Sequence, residues 1–436
     1  MAVRRSEYLI DTAAGWTASN PILKEGQLAV ENIPGTTPDR IKIGDGVTAW
    51  NLLPYDTPTP VDVTGKVAKP LGPMEFVVYG ASQSVEPGLE CTPGLEWFNQ
   101  VAADLGTDFA TMAYGGRRTP DLAAYALAGT WNVNSQGAHP QGAAATWAGM
   151  DTVDKIPVAD TSGNDIGHYP NMRVSPVVPA RITGAAGTRY LAGIGAALRT
   201  LLATYVSQSR VENTAASSTG VWNSLAGGSA GTIAWTNVNG ATRTYPVTPP
   251  QGGESAGEVY FVGYTLSAES GGVSSTFTYS IDGGAESATQ TPPGWERYAG
   301  YVAGFVDSTP FVTKITLPVD GAEHTVRLTH TGTAGHVFYA DPILVPSAAP
   351  KPMLVMQSPR QVTIAAGVFD AAGVAAYAAN WRLIEDQQEA IAAEFPNAIY
   401  VPCSVTLEGL SDADGLHFDD TGMAQRGVDF LSAVRH

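Results

Sequence analysis

The sequence predicts a multidomain fold: a three-layer α/β domain interrupted by an all-β sandwich, preceded by a small β-rich N-terminal module. Three observations predict it. Helical periodicity and short apolar runs alternate on both sides of residues 207–350. Within 207–350 that period vanishes and strand-like alternation takes over. A turn-rich first fifty-odd residues ends at Asp56-Thr-Pro-Thr-Pro60, where spaced prolines favour an extended spacer. The division is then 1–55 for the first module, 56–73 for a linker, 74–206 and 351–436 for the two parts of the α/β domain, and 207–350 for the insert. A chain of 436 residues accommodates two or three domains, each with its own core.

The elements follow in order. Glu75-Phe-Val-Val-Tyr79 reads as a buried strand, and Leu95, Trp97, Phe98, Val101 and Leu105 recur at helical spacing after it. Leu191, Ile194, Leu198, Leu201, Leu202 and Tyr205 share one face of a second helix. Val374, Tyr377, Trp381, Ile384, Ile391 and Phe395 do the same in a third. Around that last helix, Met353-Leu-Val-Met356 and Ala398-Ile-Tyr-Val401 are short apolar runs bounded by proline, suited to interior parallel strands. In the insert, alternation marks strands at 258–264, 275–281, 311–317 and 325–329. Turn signals such as Asp282-Gly-Gly284 and Asp320-Gly321 separate them. An exposed loop tolerates such an insertion.

Charge and composition narrow the function. With 24 basic and 41 acidic residues the net charge is −17, which repels nucleic-acid phosphates and anionic lipid. Only 15% of residues are charged, against roughly 25% in an average protein, and 48 glycines and 30 prolines imply many turns and loops. At 44% hydrophobic, the chain has the apolar content for packed cores. No apolar run approaches the ~18 residues of a membrane span, and the start lacks a signal-peptide core, so synthesis in the cytosol without a signal peptide is expected. Cys91 and Cys403 stand far apart without CxxC spacing, and read as free thiols; spacing does not decide whether they pair.

Candidate chemistry collects at the ends of the α/β segments. Gly80-Ala-Ser82-Gln-Ser84 directly follows the first strand, where open α/β sheets expose reactive groups. A formal GxSxG at Gly227-Gly-Ser229-Ala-Gly231 has no strand before it or helix after it, and is discounted. Near the C-terminus, Asp414-Gly-Leu-His417 places an acid and an imidazole in one loop; a histidine oriented by a carboxylate is a general base for a serine hydroxyl. Asp412, Asp414, Asp419 and Asp420 also cluster there, but the calcium-loop spacing with its closing Glu is missing. Ala113-Tyr-Gly-Gly116 and Ser162-Gly-Asn-Asp-Ile166 offer backbone N–H and side-chain amide donors for a tetrahedral oxyanion.

In this order, Gly-x-Ser, a glycine turn, Gly-Asn-Asp and Asp-x-x-His, the chain resembles the SGNH, or GDSL-type, hydrolases over about 74–205 and 353–436. The resemblance implies Ser82 as nucleophile, His417 as base and Asp414 as its orienter. It implies an oxyanion hole of the Ser82 N–H, Gly115 (with Gly116 competing) and Asn164, and no cofactor or metal. The chain departs from the pattern at Gly80-Ala81-Ser82, where the family usually has Gly-Asp-Ser with a bracing carboxylate.

Trp16 to Glu31 and Ile41-Lys-Ile-Gly-Asp-Gly46 to Tyr55, with both tryptophans in order, are similar to the N-terminal module of bacteriophage tail-fibre proteins. A segment this short buries little core alone, so it is expected to dock on other tail proteins or to form a homotrimer. Together the resemblances imply a virion tail esterase that removes O-acyl, chiefly O-acetyl, groups from host envelope polysaccharide or glycolipid. The alternative is a receptor-binding tail protein without catalysis. In the insert, Trp235, Tyr260, Tyr264, Trp295, Tyr298, Tyr301 and Phe338 either fill the sandwich core or stack on sugar rings. His168, His324, His330 and His336 lack metal-ligand spacing.

Overall fold

The computed structural model describes residues 9–12, 17–22, 28–32, 40–43, 47–52, 75–84, 90–111, 113, 118–128, 155–160, 163–167, 182–226, 232–266, 275–296, 308–333, 336–364, 369–411 and 415–435. The chain divides into two compact units, Met1–Pro70 and Leu71–His436. In the first, β1 (Leu9–Thr12) pairs in parallel with β2 (Leu28–Asn32), and β2 pairs antiparallel with β3 (Arg40–Ile43). Trp50 is buried, and its N–H donates to the Pro21 carbonyl at 2.8 Å, tying the 47–52 turn to 20–22. The 56–73 segment lies outside the described residues.

The second unit is built on a five-stranded parallel sheet. In chain order its strands are β4 (Glu75–Tyr79), β5 (Asp108–Thr111) and β6 (Lys155–Asp160), then, after a long excursion, β17 (Met353–Met356) and β18 (Ala398–Val401). Their spatial order is β5-β4-β6-β17-β18. Because successive residues of a strand face opposite ways, an apolar run buries both faces. Phe76, Val78, Ile156, Val158, Leu354 and Met356 pack under α1 (Trp97–Leu105) and α6 (Asp420–Arg435), through Trp97, Phe98, Val101, Met423 and Phe430. On the other face, Val77, Tyr79, Ala159, Met353 and Val355 meet α2 (Thr119–Ala128), α4 (Gly184–Val206) and α5 (Ala371–Ala392). A one-turn α3 (Asn164–Gly167) follows β6.

Between α4 and β17 the chain forms two antiparallel sheets. One has the order β14-β12-β16-β10-β9, with β7 also on β16; the other is β13-β15-β11-β8. The strands are β7 (Ser207–Val211), β8 (Ser217–Thr219), β9 (Asn223–Ala226), β10 (Thr232–Thr236), β11 (Thr242–Val247), β12 (Glu258–Leu266), β13 (Phe277–Ile281), β14 (Ser308–Thr316), β15 (His324–His330) and β16 (Phe338–Pro346). Both sheets contribute to one core, with Phe261, Phe311 and Phe338 from the first and Tyr245, Phe277 and Leu328 from the second. Phe338 is buried in that core, Tyr264 and Trp295 are buried outside it against α4, and Trp235 and Tyr260 are half-buried. Tyr298 and Tyr301 lie outside the described residues.

The reverse face of the six-stranded sheet rests on the α/β body. Val262, Tyr264 and Leu344 join Leu198, Leu202 and Val206 of α4, together with Met353 and Val355, in a shared core. α4 thus lies between two sheets, which explains a helix apolar on nearly every face. Its buried hydroxyls are satisfied internally: Thr200 donates to the Ala196 carbonyl at 2.9 Å, and Thr204 to that of Thr200 at 2.7 Å. Expected periodicities differ from the helices in detail. Leu95 precedes α1 and is exposed, because the helix begins only at Trp97, and Phe395 lies beyond the end of α5. Among the described residues, no helix is long and apolar enough to cross a membrane.

Gly193 marks the closest approach between α4 and the segment after β13. A Cβ there would stand 2.1 Å from Trp295 Cε3, and the indole is itself stacked on Tyr190 with ring centroids 5.8 Å apart. Gly193→Ala is expected to destabilise the second unit by roughly 1–3 kcal/mol, read as a lower urea midpoint. An unchanged midpoint would mean that Trp295 does not pack there.

Candidate functional site

In a parallel sheet of order β5-β4-β6-β17-β18, the direction of chain progression reverses between β4 and β6. The crevice beyond their carboxyl ends is where such sheets bind ligands. The chain places the Ser82 turn after β4 and the Asn164 turn after β6, both at this switch point.

Ser82 opens a single 3₁₀ turn, Ser82–Ser84, closed by the Ser84 N–H donating to the Ala81 carbonyl at 3.0 Å. Its backbone is placed, and its side chain lies outside the described residues. The two residues after it anchor the turn in opposite directions. Ser84 is fully buried and its hydroxyl binds the Asp160 carboxyl at the end of β6. Trp97 Nε1 donates to the same hydroxyl oxygen at 3.0 Å, so the hydroxyl hydrogen is directed at Asp160. Burial raises the Asp160 pKa, and Arg426, 3.2 Å away, pulls it back. Gln83 reaches the other way. Its Nε2 donates to the Leu416 carbonyl at 2.9 Å, and its Oε1 accepts the Phe418 N–H at 3.3 Å. The residue beside Ser82 therefore grips the residues on both sides of His417, 333 and 335 positions along the chain.

The His417 loop has backbone anchors of its own. Ser411 N–H donates to the His417 carbonyl at 2.8 Å, Asp419 N–H to that of Gly409 at 3.1 Å, and Thr363 N–H to that of Gly415 at 2.8 Å. Gly415 has φ of +66°, and a Cβ there would sit 2.4 Å from Thr363 Oγ1, so the loop needs glycine at that point. His417 is half-buried. Asp414 lies outside the described residues, as do Asp412, Gly115, Gly116, His168 and the Gly227–Gly231 segment.

Asn164, 5% exposed, begins α3, and the next residue holds that turn to the start of α2. The Asp165 carboxylate accepts the Thr119 N–H at 3.0 Å and the Thr119 hydroxyl at 2.5 Å. Tyr190 Oη donates to the Asp165 carbonyl at 3.0 Å, and Asn380 Nδ2 to that of Ile166 at 3.3 Å. Burial pushes the Asp165 carboxyl up to about 7, against the hydrogen bonds from Thr119 and the charge of Arg118.

The remaining acidic residues have structural work. Asp419 Oδ1 accepts the Gly422 N–H at 2.9 Å and caps α6, while Asp420 binds Thr92 through its N–H at 2.6 Å and its hydroxyl at 2.8 Å. Glu90, Cys91, Thr92, Asp419, Asp420 and Thr421 line a cleft of about 380 Å³ beside the His417 loop. Among the described residues no group of three or more His, Cys, Asp or Glu side chains is arranged to hold a metal. His324 instead bridges Asp282 at 2.7 Å and Asp320 at 3.0 Å, and His330 binds Ser275 and the Val238 carbonyl. Both thiols are free; burial, with the charges of Glu96 and Asp420, pushes Cys91 up to about 11, so it is no thiolate at neutral pH.

Gln83, Ser84, Asp160 and Arg426 went unassigned in the sequence. Gln83 and Ser84 stand inside the Gly80–Ser84 motif itself, and Asp160 is an acid closing an otherwise apolar strand, a signal visible in Ile156-Pro-Val-Ala-Asp160.

No protein-family model matches the chain, and no curated protein matches it. Solved structures do. Est24, a carbohydrate acetylesterase from Sinorhizobium meliloti, is 8% identical, covers 83% of this chain and 100% of its own, and gives a TM-score of 0.33. A porcine torovirus hemagglutinin-esterase is 12% identical over 82% of this chain and 86% of its own, with a TM-score of 0.34. A family 35 carbohydrate binding module from Clostridium thermocellum, 16% identical, covers 32% of this chain and 98% of its own at a TM-score of 0.24. The chain spans 28% of the length of a Phanerochaete chrysosporium exo-β-1,3-galactanase and 36% of an Agl-KA catalytic domain. At these identities and TM-scores, the reading of the site rests on its own residues.

The raised Asp165 pKa has a definite sign. Between pH about 4 and about 7 the folded protein holds this proton and the unfolded chain has lost it, so stability falls as pH rises across that window. Asp165→Asn keeps an acceptor for Thr119 and removes the titration. The wild-type Tm is expected to drop more steeply from pH 4 to 7 than that of Asp165→Asn. Parallel Tm curves would show a carboxylate already ionised in the fold at pH 4.

Proposed function

We propose that this chain is a serine ester hydrolase that removes O-acyl groups, chiefly O-acetyl, from a polysaccharide of the bacterial envelope. The observation that carries this reading is the pair of hydrogen bonds, Gln83 Nε2 to the Leu416 carbonyl and Phe418 N–H to Gln83 Oε1, that hold the Ser82 turn against the His417 loop at the sheet's switch point. The Asp165–Thr119 contact supports the third part, because it ties the turn that carries Asn164 to the start of α2, which in the sequence follows the Gly115-Gly116 pair.

In the proposed reaction, Ser82 Oγ attacks the ester carbonyl carbon while its proton passes to His417, whose imidazole Asp414 orients. The carbonyl oxygen becomes an oxyanion, met by the N–H groups of Ser82 and Gly115 and by the Asn164 side-chain amide. Collapse breaks the ester C–O bond, and the departing sugar alkoxide takes the proton from His417. Water then gives its proton to His417 and attacks the acyl-enzyme, so that acetate leaves and Ser82 regains its hydrogen. Apart from the substrate and that water, these steps use side chains and backbone of this chain.

The tail-fibre-like motifs of residues 1–55 support delivery by a phage tail, with docking to other tail proteins or trimerisation through that module, and polysaccharide or glycolipid as the surface it meets. The 56–73 linker and the 207–350 insert complete the proposed domain organisation.

Turnover of a small aryl acetate and acetate release from acetylated envelope polysaccharide test the reading together. Ser82→Ala and His417→Ala are expected to abolish both, and Asn164→Ala to lower kcat by roughly 10²–10³. A wild type without turnover, or Ser82→Ala at the wild-type rate, would refute the hydrolase. A receptor-binding protein would then bind the polysaccharide and leave its acyl groups intact.

A further inference from the structure

We infer that Gln83 is a positioning residue, one that sets the reach between the nucleophile turn and the general-base loop. The inference rests on the reading of Ser82 and His417 above, and assigns a kinetic role to the side chain whose two hydrogen bonds join their turns.

Gln83 starts from a fixed point. The turn it belongs to is locked at its next residue, where the buried Ser84 hydroxyl binds Asp160 and accepts Trp97 Nε1. Gln83 itself is 6% exposed, and its primary amide uses one donor and its carbonyl oxygen on one loop. In the local pairing of 409–411 with 417–419, Ser411 N–H goes to the His417 carbonyl and Asp419 N–H to the Gly409 carbonyl. The Phe418 N–H between them goes to Gln83. The side chain therefore acts as a two-pronged backbone surrogate that fixes the loop one residue before and one residue after His417. Only a flat group with a donor and an acceptor at Gln length makes both bonds; Asn is one methylene short and Met has neither prong.

The loop does not depend on Gln83 to fold, because the bonds among Ser411, His417, Gly409 and Asp419, and that from Thr363 to Gly415, are its own. Loss of Gln83 therefore allows a small displacement of His417 relative to Ser82. A misplacement on the order of 1 Å costs about 10²-fold in rate. Substrate contacts are untouched, so the cost falls on kcat and spares KM.

The test compares Gln83→Met and Gln83→Asn with wild type and Ser82→Ala in the full chain. With aryl acetate, both Gln83 variants are expected to lose roughly 10- to 100-fold in kcat while KM stays within about threefold. Amide hydrogen exchange is expected to be faster at Phe418 in both, with the Ser411 and Asp419 amides still protected and Tm near wild type. A folded variant with wild-type kcat, a loss expressed only in KM, or unchanged Phe418 protection would overturn the inference. Failure of both variants to fold would also overturn it, since Gln83 would then belong to the residues the fold itself requires. If Ser82→Ala is inert while the Gln83 variants match wild type, the hydrolase stands and the positioning role falls. If wild type has no turnover, both fall.

Discussion

The second unit depends on a carboxyl group buried at the end of its central strand. Asp160 closes β6 with 3% of its surface exposed, and three elements meet on it. The Ser84 hydroxyl comes from the turn after β4, and through it Trp97 of α1. Arg426 of α6, itself buried, bonds Asp160 at 3.2 Å and the Gln357 carbonyl beyond β17 at 2.7 Å. An acid so placed is costly unless paired, and removing one partner of a buried pair typically costs ~3–5 kcal/mol. That cost is what makes the arrangement specific. The turn after β4 and the C-terminal helix satisfy the same group only when both are in register, and Arg426 ties the end of β17 to that helix.

The same constraint bears on the Gly80-Ala81-Ser82 turn. Beside Ser82 stands the buried Ala81, which offers the turn no carboxylate of its own. The carboxyl group that braces the turn comes instead from Asp160, 76 positions away, by way of Ser84. Gly80 fits this geometry closely, since a Cβ there would approach Asp160 Cβ and Ser84 Cβ at 3.1 Å each. A brace through space has a further effect: it leaves Gln83, the residue between Ser82 and the braced Ser84, directed at the His417 loop.

How much of this was legible in the sequence follows from the range of the interactions. Strand runs such as Met353–Met356 and Ala398–Val401, and helices such as the one carrying Tyr377 and Ile384, declare themselves, because burial on two faces or one stripe writes a local period. β6 did not, since Lys155-Ile-Pro-Val-Ala-Asp160 carries a proline and charged ends and its strand character comes from its neighbours β4 and β17. β16, the strand between β12 and β10, was masked in the same way by the Asp341-Pro342 step inside it. At the site, residue types chosen for chemistry stood out, whereas Gln83, Ser84 and Asp165 did not. Their roles lie in partners dozens to hundreds of positions away, and no local pattern marks a hydrogen bond of that range.

The antiparallel sheets are bound into the same logic. Tyr190 of α4 donates its hydroxyl to the Asp165 carbonyl, in the turn that carries Asn164, and stacks its ring on Trp295, which comes from the segment following β13. Arg118, one residue before the Thr119 that Asp165 binds, lays its guanidinium 5.7 Å from the centre of the Trp295 ring. The neighbouring Glu296 forms an ion pair with Arg189 at 2.5 Å. Trp295 thus fills the space that Gly193 leaves, and backs both the Asn164 turn and the start of α2 from one side. An appended module would touch its host through a linker; this one supplies an indole to the packing beneath the candidate oxyanion hole. With six-stranded sheet, α4 and parallel sheet sharing a core, the shape of the crevice is set by the 207–346 strands and their connections as much as by the α/β body they interrupt.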